Sequence, residues 1–410
     1  MALTARTVAA LVVAALSALI VPPGVAVALA ILVLAVALGD ALAARAEAPR
    51  VERRVASVLA RGVTVPLSVA AEGGRTTVRQ PLVPDVGLDV QQARGALDAR
   101  LTPRRRGRHT LPGVATRTRG PLGLGAWQRR EATPATDLTV YPDLPAARRL
   151  ALAVREGRFR DAGVRTRGPI GLGTEFERVR DYLPDDDIRQ VNWRATARLG
   201  RPMSNQHRVE QDQEIVVVLD VGRLMAAPLG ADRTRLDTAL DAATALALVA
   251  DELGDRVGAV AFDDAVRRRI RPGRASGSDV IRATFDLEPS ERDSDYELAF
   301  RTVGGGKRAL VVVLTDLLDT AAARALTDAV PVLTRRHAVV IATARDPDVE
   351  QLAESDDPNM VAAARALLDA RTQAAAAVTG AGASVVEAPP DRLAAACVRA
   401  YLRAKSRRRL

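Results

Sequence analysis

Glu214-Ile215-Val216-Val217-Val218-Leu219-Asp220 decides the fold class. Positions 215–219 are apolar without interruption and the run stops at a carboxylate, so no alternation marks a solvated side. Outward from it, 238–253 has helical spacing, with Leu240, Ala243, Leu246 and Val249 along one stripe. Positions 257–262 form the next strand, and 265–270 pairs with it as a hairpin. A third buried run, 309–314, ends at Thr315-Asp316, followed by runs at 338–342 and 384–387. Helices at 321–333, 361–379 and 391–405 fill the gaps. Continuous apolar strands alternating with helices predict an α/β domain, a mostly parallel, doubly wound sheet covered on both faces. Ligands of such sheets sit beyond the carboxyl ends of the strands, where Asp220 and Asp316 fall.

With 410 residues, 48% of them apolar, the chain has enough material for two or three units. It has one cysteine, Cys397, and three histidines, His109, His207 and His337, without metal-ligand spacing. A disulfide framework and a Cys- or His-based zinc site are disfavoured. The net charge of +10 would suit nucleic acid. Lysine occurs only at Lys307 and Lys405, however, so the charge is an arginine bias, and 3% aromatics supply few stacking platforms. No Gly-x-Ser-x-Gly elbow exists, and Gly304-Gly305-Gly306-Lys307 lacks the spacing of a phosphate loop. Cys397, on a C-terminal helix, reads as a buried apolar-face thiol. The expectation is a non-enzyme.

From Thr7 to Gly39 there is no charged residue. One helix of that length would reach about 50 Å, well beyond the roughly 30 Å hydrocarbon core. Pro22-Pro23-Gly24 breaks the run, which predicts two spans, 2–21 and 25–44, within a transmembrane hairpin at 1–47. Arg6 before it and Arg45, Arg50, Arg53 and Arg54 after it put both ends on the cytoplasmic side of the cell membrane. A cleaved secretory signal or a single span is the alternative, the signal needing an apolar stretch about twice the usual 7–15 residues.

Short β-type runs separated by Gly, Pro and Arg predict a small antiparallel β domain over 48–150. Its cluster Arg104-Arg105-Arg106-Gly107-Arg108 reads as a solvated hairpin. Arg117-Thr118-Arg119-Gly120-Pro121-Leu122-Gly123-Leu124-Gly125 recurs as Arg165-Thr166-Arg167-Gly168-Pro169-Ile170-Gly171-Leu172-Gly173, the same turn used twice. The connecting segment 151–212 holds the densest mix of charge and aromatics, Glu175 to Arg198. Pro184 and three aspartates predict a turn into a helix N-terminus. Arg180 and Arg189 could pair with Asp181, Asp186 or Glu175, and Trp193 follows Arg189 at i, i+4. The segment is either a docking surface or a salt-bridged brace. The remainder, 213–410, ends in the basic tail Arg403 to Arg409, either solvated or touching anionic lipid.

Gly173-Thr174-Glu175-Phe176, then Arg180-Asp181-Tyr182 and Asp187-Ile188-Arg189-Gln190-Val191-Asn192-Trp193-Arg194, resembles the signature of the domain of unknown function 58 (DUF58) family. Asp185 stands where that family usually has glycine after the proline. The stretch that follows, to about 345, is similar to von Willebrand factor A domains. Many of these bind a divalent cation through Asp-x-Ser-x-Ser, a loop threonine and a later aspartate. Here the first aspartate is Asp220, the serine positions are Gly222 and Leu224, Ser294 and Asp295 loosely match the threonine position, and the later aspartate is Asp316. With two hydroxyls lost, no metal or other cofactor is expected, Mg²⁺ being the minor alternative. Asp220 and Asp316 are then expected to cap helices or pair with Arg223.

The resemblance implies a membrane-anchored, protein-binding adaptor for a MoxR-type AAA+ ATPase, since family members are similar in setting to proteins encoded beside such ATPases. The expected contact surface comprises Glu175, Arg180, Asp186, Arg189, Trp193 and Arg198, or Asp220, Arg223 and Asp316. A cation-dependent adhesion module, or a hydrolase using Asp186 with Arg189, remain as alternatives.

Overall fold

The computed structural model describes residues 2–159, 175–183, 191–208, 212–230, 233–304, 306–317 and 320–406. The chain divides into two compact units, Met1–Val140 and Tyr141–Leu410.

The N-terminal unit joins a helical hairpin to short antiparallel strands. One sheet runs Val51–Arg54, Val65–Ala71, Ala96–Pro103, Val86–Leu88. Alternation builds it: Leu97, Ala99 and Leu101 point inward and their neighbours outward, so one face packs on a core that includes Leu67, Val78, Leu111 and Leu138. The Arg104–Arg108 cluster is not wholly solvated, because Arg106 is buried. Gly107, at φ +113°, turns the chain there in a conformation that disfavours a side chain.

The hairpin differs from two symmetric spans. Ala2–Leu3 is a strand paired with Gly125–Arg129. The first helix is Ala5–Leu16, continued by a 3₁₀ turn at Ser17–Leu19. The second, Pro23–Ala46, begins on the proline that broke the apolar run, as a first-turn proline can. Among the described residues it is the one helix long and apolar enough to cross a membrane. Its last turns bury Ala37, Asp40, Ala41 and Ala44, one helical face, against the sheet.

Glycine explains how closely they meet. A Cβ on Gly125 would fall on the Ala37 carbonyl and the Ala41 amide, and one on Gly120 on Asp40. The Asp40 carboxylate accepts backbone N–H bonds from Leu122, Leu124 and Gly125, each 2.8 Å. The first copy of the repeated Gly-Pro-Leu-Gly-Leu-Gly turn is therefore a nest of amides filled by a helix carboxylate. The second copy lies outside the described residues.

In the C-terminal unit, six strands lie in the order Val266–Arg274, Arg256–Phe262, Glu214–Asp220, Ala309–Leu314, Ala338–Ala344, Ser384–Ala388. All neighbours are parallel except the first pair, which forms the expected hairpin. Odd positions of the central strand (Ile215, Val217, Leu219) join one core with helices Arg235–Glu252, Gly277–Thr284 and Leu393–Ser406. Even positions (Val216, Val218) join the other with helices Tyr296–Val303, Thr320–Thr334 and Pro358–Gly380. Two covered faces are the physical reason for the uninterrupted apolar run.

Helix Leu144–Arg155, which straddles the boundary expected at 150, belongs to this unit. Ala147, Ala151 and Val154 pack into the core of helix Arg235–Glu252. Cys397 is fully buried, and burial pushes its thiol up to about 12. Lys405 departs from both readings of the basic tail, solvated or touching lipid. It is buried, with Nζ 2.5 Å from Asp255 Oδ2, and Tyr401, one turn earlier on the same face, also donates to Asp255. Arg407 to Arg409 lie outside the described residues.

Candidate functional site

The parallel strands deliver Asp220 and Asp316 to their carboxyl ends, as the sequence implies. Asp220 closes strand Glu214–Asp220, and the chain leaves it through Gly222 into a 3₁₀ turn at Arg223–Ala226. Asp220 Oδ1 accepts from Gly222 N at 2.8 Å and Ser294 Oγ at 2.5 Å. Oδ2 accepts from Tyr296 OH at 3.0 Å and Thr315 Oγ1 at 2.6 Å. The loop before helix Tyr296–Val303 and the end of strand Ala309–Leu314 thus converge on one carboxylate. Gly222 is required by this packing, because a Cβ there would fall on Ser294 Oγ.

Burial pushes the Asp220 carboxyl above its ordinary value; hydrogen bonds from Ser294, Thr315, Gly222 and Tyr296 oppose the shift without cancelling it. Burial, then the Asp220 charge, holds the Tyr296 phenol well above its usual value, so it remains a neutral donor. The sign follows. A carboxyl with a folded-state pKa above its unfolded value contributes stability that is fully present below the unfolded pKa and is lost as pH rises through the folded one. Relative to Asp220→Asn, the parent is expected to gain stability on acidification from neutrality toward about pH 4. Urea titrations of both proteins across that range check this; a difference independent of pH would refute it.

Asp316 finds Arg235, and this replaces the pairing with Arg223 expected from sequence. Arg235 Nη1 lies 2.6 Å from Asp316 Oδ1 and Nη2 lies 2.8 Å from Asp346 Oδ2, all three residues being buried. Arg235 opens helix Arg235–Glu252. Its N-terminus is fixed by a reciprocal cap, with Asp237 N donating to Thr234 Oγ1 and Thr234 N to the Asp237 carboxylate. Arg235 Nε has no hydrogen-bond partner among the described residues, and Arg235 borders a void of about 10 Å³, room for one water.

Arg223 Nε instead lies 2.5 Å from Asp293 Oδ1. Together with Leu224, Ser294, Tyr296 and Ala321 they line an open cleft of about 220 Å³ beside the buried carboxylate. Among the described residues, no three His, Cys, Asp or Glu side chains are grouped so as to hold a metal ion.

The other sequence candidates lie on separate elements. Glu175 and Arg180 sit on strand Glu175–Asp181, paired with Met203–Arg208, and Arg180 Nη1 donates to the Asp181 carbonyl at 2.9 Å. Asp181 is the partner of Arg201, 3.3 Å away. Trp193, 69% exposed, and Arg198 lie on helix Trp193–Leu199, which is capped by the Asn192 side chain. Asp186 and Arg189, with Asp185, lie outside the described residues. Sequence reasoning passed over Thr315, Tyr296, Arg235 and Asp346 as site residues. Thr315 and Tyr296 stood beside residues it did single out, but nothing local marks Arg235 or Asp346 as partners.

Comparison with known proteins bears on this unit. Residues 178–378 match the family model described as protein of unknown function DUF58. The match includes Asp220, Arg235, Ser294, Asp316 and Asp346, and so all of the strand-end network. Uncharacterized proteins of Mycobacterium bovis and Mycobacterium tuberculosis are each 28% identical over 154 residues, 36% of this chain and 48% of the relative. The chain thus spans about half the length of the curated relatives it matches. Among solved structures, a Bacteroides ovatus GH5 xyloglucanase in complex with a XXXG heptasaccharide aligns over 82% of this chain and 65% of its own. Its 10% identity and TM-score of 0.15 do not show a shared fold.

Proposed function

We propose that this chain is a membrane-anchored, non-catalytic adaptor. In this reading a von Willebrand A-like, doubly wound domain grips polypeptide at the carboxyl ends of its strands and works with a MoxR-type AAA+ ATPase. The observation that carries it is how the acids at the strand ends are used. Asp220 already accepts four hydrogen bonds, and Asp316 and Asp346 share Arg235. A hard divalent cation needs such oxygens free to ligate. The two serine positions of cation-binding relatives are Gly222 and Leu224 here, and Ser294 Oγ occupies the space a side chain at 222 would take.

What faces outward instead is the cleft beside Arg223, Leu224 and Asp293, a mixture of charge and apolar surface suited to a polypeptide. The partner class rests on the DUF58 resemblance. Anchoring rests on the uncharged run 7–39 of the hairpin, and the cytoplasmic placement of the soluble part on the arginines flanking it.

Calorimetric titration of the full-length protein in detergent with MgCl₂ and MnCl₂ tests this against a cation-dependent module. No saturable heat is expected. Saturable heat that disappears in Asp220→Ala would overturn the adaptor reading in favour of the cation site.

A further inference from the structure

The hairpin carries its own measure of depth. Its base is fastened to the N-terminal unit. Ala2–Leu3 pairs with the sheet, Thr4 Oγ1 donates to the Gly123 carbonyl at 2.7 Å, and Thr7 Oγ1 donates to the Leu124 carbonyl. On the returning helix, Ala37, Asp40 and Ala41 are buried against the same loop and strand. Between Thr7 and Ala37 only Ala14 and Ala26 are buried, and most of the large apolar side chains are exposed. At 1.5 Å per residue each arm, from Thr7 to Ile20 and from Pro23 to Ala37, reaches about 20 Å. The hydrocarbon core is about 30 Å thick.

The tip points the same way. Leu19 and Ile20 are the most exposed large apolar residues of the hairpin, at 85% and 89%, and Val21-Pro22-Pro23-Gly24 completes the turn without a charged group. A turn that had crossed the bilayer would hold these side chains in water. One that stops within the bilayer holds them in hydrocarbon, where the apolar arms belong.

At the base the chemistry changes. Arg6, Arg45 and Arg119 are exposed, and the Arg45 guanidinium lies 5.0 Å from the Trp127 ring centre. Arginine with tryptophan is the composition of the headgroup layer.

We infer that the hairpin is re-entrant: it enters the bilayer from one face, turns inside it and returns, with its base at headgroup level. This rests on the membrane-anchored reading and narrows it from a spanning anchor to a monotopic one. The partner to which this surface commits is the single leaflet on the side of the soluble units.

The test uses the full-length protein in vesicles of phosphatidylethanolamine and phosphatidylglycerol, with a charged, membrane-impermeant maleimide. Native Cys397 is buried and stays silent. Ala48→Cys, just beyond the hairpin, reports the side on which the soluble units lie. Ile20→Cys and, separately, Leu19→Cys report the tip; both positions are too exposed for the change to disturb folding. The expected result is labelling of Ala48→Cys from its own side. The tip cysteines should resist reagent added outside or trapped inside, and label only after detergent dissolves the bilayer. Labelling of the tip from the face opposite Ala48→Cys overturns the re-entrant hairpin and leaves a spanning anchor. Labelling of the tip in intact vesicles from the Ala48 side overturns it in favour of a hairpin lying on the surface. Protein that does not float with the vesicles defeats the anchored reading itself.

Discussion

Arg235→Ala is expected to destabilise the C-terminal unit by about 3–5 kcal/mol, the usual cost of leaving a buried charge without its partner. Here two carboxylates, Asp316 and Asp346, lose one guanidinium. Neither can turn to water, since both are buried with it. Arg235 is also the first residue of the helix covering one sheet face, so the loss spreads to the strands beneath. Native-state hydrogen exchange on the amides of Glu214–Asp220 in the full-length protein reads the opening free energy of this unit directly. The triple variant Arg235→Met, Asp316→Asn, Asp346→Asn removes all three charges together and should recover much of the loss. If Arg235→Ala shifts exchange by less than about 1 kcal/mol, the network is a surface feature in effect and the account of the site is wrong.

The second large effect is expected at Asp40. Its carboxylate satisfies three backbone amides of the Gly120–Gly125 turn, so Asp40→Ala strands three donors and removes the charge that gathers them. At roughly 1–1.5 kcal/mol per bond the expected loss is about 3 kcal/mol or slightly more. That corresponds to roughly a hundredfold faster exchange at Leu122, Leu124 and Gly125. Gly125→Val should give a comparable defect from the other side, by pushing the helix away from the strand. Unchanged protection in Asp40→Ala would mean that the loop holds its shape without the helix.

Much of the α/β unit was legible because burial on both faces leaves so simple a trace. The five parallel strands and the three long C-terminal helices fall within a few residues of their sequence positions. The capping pair Thr234 and Asp237 places the start of the central helix at Arg235, slightly before the apolar stripe alone suggests. Elements without a strong period were missed, among them Gly277–Thr284, whose short apolar face is read only against its neighbours.

The polar network was not legible for a different reason. Arg235 meets Asp316 and Asp346, and Asp220 meets Ser294, Tyr296 and Thr315, across sequence separations that no local pattern encodes. Asp40 follows the uncharged run 7–39 and lies inside the span expected at 25–44, where nothing local gives it a partner. Its role depends on a glycine turn some eighty residues later. That turn was noticed as a repeat, but the reason for its glycines is the closeness of a helix that only the fold supplies.

The most direct test of the adaptor reading is a photo-cross-linker placed at Leu224, on the cleft beside Asp220, in the full-length protein within its own membrane. A second probe at Arg269, on the exposed edge strand Val266–Arg274, serves as the control surface. A defined adduct with a AAA+ ATPase is expected from Leu224, lost when Arg223 is changed to Glu, and none from Arg269. No adduct at Leu224, or the same adducts from both positions, would contradict it.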